Sequence, residues 1–196
     1  MDYSIVIIDS VEKFNQYRTD FLKLDAEYHF WNLSTSKEFY PSYVTDFKDS
    51  FGDDLDTVLK ELRNTKETGK VTKKLDEIYT SSYERGFVTL VLKNGTDFIG
   101  QMGLSSKESG VGVLIAVYLK PSYRGYNYAT DLLEKIKNIA KEKGLTTIKL
   151  VTFPFMKRAI KFYLKNGFQY CDYFSEIEHP RENVEKFNGI YLELKL

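Results

Sequence analysis

Residues 121–133 read PSYRGYNYATDLL and lead from a strongly apolar run straight into an amphipathic one. A Pro opens the stretch, Arg124 stands beside Gly125, and Asn127 precedes the first helical residues. These types suit an anion. A helix start exposes unpaired backbone N–H groups and the positive end of the helix dipole. Gly125 removes a side chain where an oxygen must approach, and Asn127 tolerates left-handed backbone almost as glycine does. Arg124 and Thr130 can add side-chain donors. The turn is thus a candidate phosphate grip, although read alone it also fits an ordinary strand-to-helix connection.

Other chemistries find less support. The chain has one cysteine, Cys171, so no internal disulfide can form, and a reducing compartment fits. With no histidine near it in sequence, Cys171 reads as a small core residue rather than a nucleophile. His29 and His179 stand far apart, and no metal-ligand spacing is visible. Lys plus Arg and Asp plus Glu both number 28, which argues against a bulk nucleic-acid binder. The N-terminal MDYSIVIIDS lacks a basic region and does not read as a signal peptide. The longest apolar stretch, Val111 to Leu119, is too short to span a bilayer. The expectation is a cytoplasmic protein with no membrane or nucleic-acid partner.

Charge is unevenly placed. Between Asp25 and Asp56 eight acids face two lysines, and between Lys120 and Lys165 eleven bases face three acids. That distribution fits either two solvated faces or a basic half for an anionic ligand and an acidic half for a cationic one.

The elements that must position the turn follow from periodicity. Ser4–Ile8 reads as a strand. Val11–Leu24 reads as a helix capped by Ser10. Residues 25–53 read as short helices and loops, aromatic and acidic. Helical stripes recur at Leu55–Leu62 and Val71–Tyr79. From Gly86 the texture is strand: Phe87–Lys93 and Asp97–Leu104 form a hairpin, with Asn94-Gly95 as a type I′ turn. Val111–Leu119 is apolar enough to be covered on both faces. Ala129, Leu132, Leu133, Ile136, Ile139 and Ala140 share one helical stripe, and Gly144 ends that helix. A strand at Thr146–Phe153, a helix at Lys157–Lys165 and strands at Phe168–Phe174 and Ile190–Leu196 complete a mixed α/β sheet. All 196 residues are read as one domain, with a helical insert at 25–82.

In this context VYLKPSYRGYNYATDLL resembles the coenzyme A-binding segment of the GNAT acyltransferase superfamily. Its pattern (Arg or Gln, two residues, Gly, any residue, Gly or Ala) falls on Arg124, Gly125, Tyr126, Asn127, Tyr128 and Ala129, with Asn127 in the central Gly place. AIKFYLKNGF, residues 159–168, is similar to the family's later helix through Ala159, Phe162, Tyr163, Gly167 and Phe168. Met156 stands where the family often has Asn. FIGQMGL, residues 98–104, resembles the strand before the central one. The resemblance covers about residues 87–174. It implies a GNAT-like fold in which strands 111–119 and 146–153 splay apart and admit the pantetheine arm of acetyl-coenzyme A.

The implied cofactor-binding residues are Val117, Tyr118 and Leu119 at the strand end, where backbone bonds meet the arm, and Arg124, Gly125, Tyr126, Asn127, Tyr128, Ala129 and Thr130 around the pyrophosphate. Lys157, Arg158 and Lys161 are either solvated or meet the adenosine phosphate. The implied reaction transfers an acetyl group from acetyl-coenzyme A, as co-substrate and without a metal, to a primary amine by direct attack through a tetrahedral intermediate. The amine must lose a proton, the oxyanion needs a donor near Leu119, and the thiolate needs a proton, for which Tyr163 stands in the family's general-acid position. Strand 146–153 lacks the acid that some relatives carry. Glu84, Glu108, Asp172, Glu176 or a water chain are candidate bases. The aromatics of the insert (Tyr28, Phe30, Trp31, Phe39, Tyr40, Tyr43 and Phe47) could cage a cationic amine or simply form a small core.

The expected function is therefore an N-acetyltransferase acting on a small-molecule amine. Its alternatives are a protein or peptide amine as acceptor, and a non-catalytic acyl-coenzyme A-binding module. The resemblance is also compatible with a homodimer.

Overall fold

The structure, a computed structural model, describes residues 3–40, 53–64, 69–106, 110–175 and 188–196. Strand β1 (Tyr3–Ile8) leads into helix α1 (Val11–Phe39). Ser10 caps α1 by accepting the Lys13 N–H at 3.2 Å. The short helices and loops expected over residues 25–53 are not what the chain adopts up to Phe39, since α1 runs unbroken to that residue; residues 41–52 of that expectation lie outside the described residues. No Pro or Gly lies between Ser10 and Tyr40, and Pro41 then pushes the preceding residue out of helical backbone.

Helix α2 (Leu55–Arg63) starts at Asp54, which accepts the Thr57 N–H at 2.9 Å. Helix α3 (Lys70–Glu84) has no side-chain cap of its own, and Glu61 of α2 accepts the Val71 N–H at 3.1 Å instead. Arg18 of α1 makes a two-pronged contact with Asp76 of α3.

Strands β2 (Val88–Asn94) and β3 (Asp97–Ser106) form the hairpin one residue out of the expected place. Asn94 pairs with Asp97, so the two-residue loop is Gly95-Thr96. Gly95 has φ +58° and Thr96 is not left-handed, which is the type II′ rather than the type I′ pattern. Strand β4 (Val111–Leu119), helix α4 (Tyr128–Glu142), strand β5 (Thr147–Thr152), helix α5 (Lys157–Lys165), strand β6 (Gln169–Tyr170) and strand β7 (Ile190–Lys195) follow. The strand expected over Phe168–Phe174 shrinks to the two residues of β6.

The sheet has seven strands in the order β1-β2-β3-β4-β5-β7-β6, and β4 with β5 is its one parallel pair among the described residues. Alternation along the strands divides the core in two. Val91, Phe98 and Tyr118 face α1, α2 and α3 in one cluster centred on Phe14 and Phe21. Leu90, Leu92, Met102 and Leu114 face α4 and α5 in the other, with Leu132, Leu133, Ile136 and Tyr163. Central strand β4 is therefore covered on both sides, as its composition demands.

Two irregularities of β4 make the site. Gln101 pairs with Tyr118 and Gly103 with Ile115, so Met102 alone faces both Ala116 and Val117: a β-bulge. Ala116 holds φ +50° there, a conformation that costs a non-glycine residue about 1–2 kcal/mol. On its other side β4 pairs with β5 only from Val111↔Thr147 to Val113↔Lys149. Beyond Val113 the two strands part.

Candidate active site

The parting of β4 and β5 opens a cavity of about 710 Å³, within the range of small-molecule sites. It collects residues from α1 (Trp31), β3 (Gln101, Met102), the end of β4, the turn after it, the first turn of α4, and α5. Val117, Tyr118, Leu119, Arg124, Gly125, Tyr126, Asn127, Ala129, Thr130 and Tyr163 all line it. Tyr128 does not: its side chain turns inward to the α4 side of the sheet, its ring 4.9 Å from that of Tyr3. Only its backbone belongs to the helix start.

The turn has part of the expected geometry. Pro121–Tyr123 form a single 3₁₀ turn, and α4 begins after Asn127 with no side-chain cap. Its first N–H groups are thus left for an outside acceptor. Gly125 holds φ +96°, and a Cβ built there meets no atom within 4 Å. Backbone conformation demands the glycine, and the space above it is open. Asn127 is another matter. It sits at φ −78°, ordinary right-handed backbone, so its tolerance of left-handed φ is not what the position uses.

Arg124 also departs from expectation. Its Nε donates to the Leu119 carbonyl at 2.8 Å, and its guanidinium lies 5.4 Å from the Trp31 ring centre and 5.8 Å from that of Tyr118. The side chain points back toward α1 rather than out over the turn. Lys157, Arg158, Lys161 and Lys165 line the α5 side of the same cavity and give it a cationic wall. Met156 accepts a weak bond from the Thr152 hydroxyl, at 3.4 Å to its sulfur, where the family pattern has Asn.

Tyr163 is 5% exposed, with its ring against Phe168 and Phe162. Burial pushes its phenol well above the usual tyrosine range, and the nearby Tyr28 phenol adds to this. Such a group stays protonated at neutral pH and keeps its O–H available as a donor. Cys171 lies outside the cavity lining, and burial raises its thiol too, which disfavours the thiolate.

Of the candidate bases, Glu84 and Asp172 are exposed and away from the cavity, while Glu108 and Glu176 lie outside the described residues. A buried polar cluster that the sequence did not single out lies behind the cavity wall. Asp25 of α1 is wholly buried, and its Oδ1 accepts from the Tyr79 hydroxyl at 2.7 Å and from Gln101 Nε2 at 2.7 Å. Burial, and then the Asp25 charge, hold the Tyr79 phenol well above its ordinary value. His29 Nε2 stands 3.3 Å from Asp25 Oδ2 without hydrogen-bond alignment.

The insert aromatics divide between the two expected roles. Trp31 lines the cavity. Tyr28 lies 5.9 Å from Tyr118, and Tyr28, Phe30 and Trp31 also pack on the α1-side core. Phe39 stacks on Phe155 at 5.0 Å beside the cavity. Tyr43 and Phe47 lie outside the described residues.

A sheet torn at a central bulge, with a bare helix N-terminus at the mouth of the tear, defines a fold that grips a long phosphate-bearing ligand between its strands. A model of the acetyltransferase (GNAT) family matches residues 55–168, and the chain belongs to that family of acyl-coenzyme A-dependent acyltransferases. Among solved structures it is similar to the PaiA N-acetyltransferase of Thermoplasma acidophilum, solved in complex with coenzyme A, with TM-score 0.60 and 21% identity over 98% of this chain and 99% of that one. It is equally similar to a GNAT-family acetyltransferase of Staphylococcus aureus Mu50, with TM-score 0.60 and 18% identity over 98% and 99%. At these identities the likeness is one of fold. A curated relative, the thialysine N-ε-acetyltransferase of Bos taurus, is 32% identical over 53 residues, 27% of this chain and 31% of the relative. This chain thus matches under a third of that protein's length. Among the described residues no helix is long and apolar enough to cross a membrane, and no cluster of His, Cys, Asp and Glu could hold a metal ion.

Proposed function

We propose that this protein transfers an acetyl group from acetyl-coenzyme A to the primary amine of a small molecule. The carrying observation is one cavity that joins the uncapped start of α4, the open edge of β4 and the buried phenol of Tyr163. The residues fit such a donor. The N–H groups from Gly125 to Thr130 receive the pyrophosphate, and the wall of Lys157, Arg158 and Lys161 receives the adenosine phosphate. The bulge leaves Val117 without a ladder partner, so its backbone groups remain for the pantetheine amides.

Acetyl-coenzyme A supplies the activated acyl carbon. The chain orients it and manages protons: an N–H at the end of β4 meets the oxyanion, and Tyr163 protonates the leaving sulfur. The acceptor enters from the α1 side, between Trp31 and Gln101. The relative that acts on thialysine supports an amine acceptor, and the enclosing reach of α1 supports a small one.

The test is thiol release from acetyl-coenzyme A across a panel of small amines and lysine-containing peptides, with thermal-shift measurements in parallel. Turnover of small amines is the expected result. Turnover of peptides alone would reassign the acceptor. Stabilisation by the donor with no turnover at all would make the protein a binding module.

A further inference from the structure

Gln101 is wholly buried, lines the cavity, and leaves one valence open. Its Nε2 donates to Asp25 Oδ1 at 2.7 Å, which fixes the amide, since a carboxylate can only accept. Its Oε1 has no hydrogen-bond partner. A buried carbonyl without a donor is costly, and native structures keep few of them. The residue is held hard in place. Asp25 is itself fixed by the Tyr79 hydroxyl and stands beside His29 on the same helix. In register Gln101 faces Tyr118, the first residue beyond the β4 bulge. Gln101 thus stands on β3 beside the part of β4 that has left β5, among the residues lining the cavity.

We infer that Gln101 Oε1 is the docking point of the acceptor nitrogen, accepting one of its N–H bonds, and that Asp25 is the positioning residue that holds the amide and supplies negative charge behind it. This rests on the acetyltransferase reading above. It deepens that reading by naming the residue that selects the acceptor, through an N–H donor that the acceptor nitrogen must carry. A quaternary ammonium carries the same charge but has no N–H and leaves Oε1 unsatisfied. The rings of Trp31 and Tyr118 are already engaged by the Arg124 guanidinium and favour neither cation, so the discrimination belongs to Gln101.

The chain's single tryptophan, Trp31, lines the same cavity and reports on binding by fluorescence. The experiment titrates butylamine and butyltrimethylammonium into the free protein and into protein saturated with coenzyme A. The parent is expected to bind butylamine about tenfold tighter, equivalent to about 1.4 kcal/mol. Gln101→Leu is expected to bind both probes alike while its coenzyme A affinity stays that of the parent. Asp25→Asn keeps an acceptor oxygen for the Gln101 amide and removes the charge, so its butylamine affinity falls while some preference survives. Equal binding of the two probes by the parent overturns the inference without any variant having to fold. So does a Gln101→Leu protein that retains the preference. Absence of any coenzyme A effect on the parent counts against the acetyltransferase reading alone, because the amine preference is read in the free protein as well.

Discussion

Tyr163 and Gly125 illustrate two ways in which a single residue can serve a site. Burial keeps the Tyr163 phenol protonated in the free protein, and in the proposed reaction that proton goes to the leaving sulfur. Tyr163→Phe keeps the ring contacts and removes the donor, so kcat should fall at least about a hundredfold while coenzyme A affinity stays within about twofold. Single-turnover thiol release together with calorimetric titration reads both numbers, and unchanged kcat would remove the role. Gly125 contributes only its backbone. Gly125→Ala meets no atom but must hold φ +96°, so it should cost about 1 kcal/mol of stability and weaken coenzyme A binding more than tenfold. Denaturant melts and the same titration separate the two effects. Both residues were legible in the sequence because each sits in a short local pattern. Gln101 and Asp25 were not: 76 positions separate them, and neither has a local signature. Arg124 was legible as a cation beside a turn, but not its rotation toward Trp31, which depends on where α1 ends up in space.

Among the elements, α1 and β4 decide the geometry. The start of α1 was readable from Ser10, while its length was not. Aromatic and acidic residues at 25–39 blur the helical period, and packing on the sheet overrides weak local preference. Ser10→Ala should lower stability by about 1 kcal/mol, measured by urea unfolding, because the Lys13 N–H then loses its acceptor. Strand β4 was readable as central from its apolar run. Its bulge was invisible, since nothing in VGVLIAVYL marks Ala116 as the residue with positive φ. Ala116→Gly relieves that strain and should raise stability by about 0.5 kcal/mol, whereas Ala-to-Gly changes in regular strands lower it. A loss of about 1 kcal/mol in the same unfolding assay would contradict the strained-bulge account.

For the molecule as a whole, balanced formal charge conceals the division that matters, a cationic α5 wall facing an α1 that buries Asp25. Buried phenols set a further collective property. Tyr79, Tyr83 and Tyr163 are all raised above the ordinary tyrosine value, chiefly by burial. The folded protein therefore keeps protons that the unfolded chain releases near pH ~10. Their contribution is fully present below that pH and is lost as pH rises through the folded values. Thermal midpoints should thus hold through the neutral range and fall above pH ~10, together with the rise of tyrosinate absorbance. A midpoint that stays flat well past pH ~10 would show that these phenols titrate normally. The mixed sheet and the order of elements along the chain were legible because each strand carries its own periodicity, whereas the place of β7 between β5 and β6 and the three-pair seam between β4 and β5 are properties of no single segment. That seam has a mechanical meaning. Among the described residues β4 and β5 pair only at Val111, Gly112 and Val113, so a molecule wedged into the rip above them acts as a splint: amides along the far part of β4 should exchange with deuterium readily in the empty protein and slowly once the splint is in.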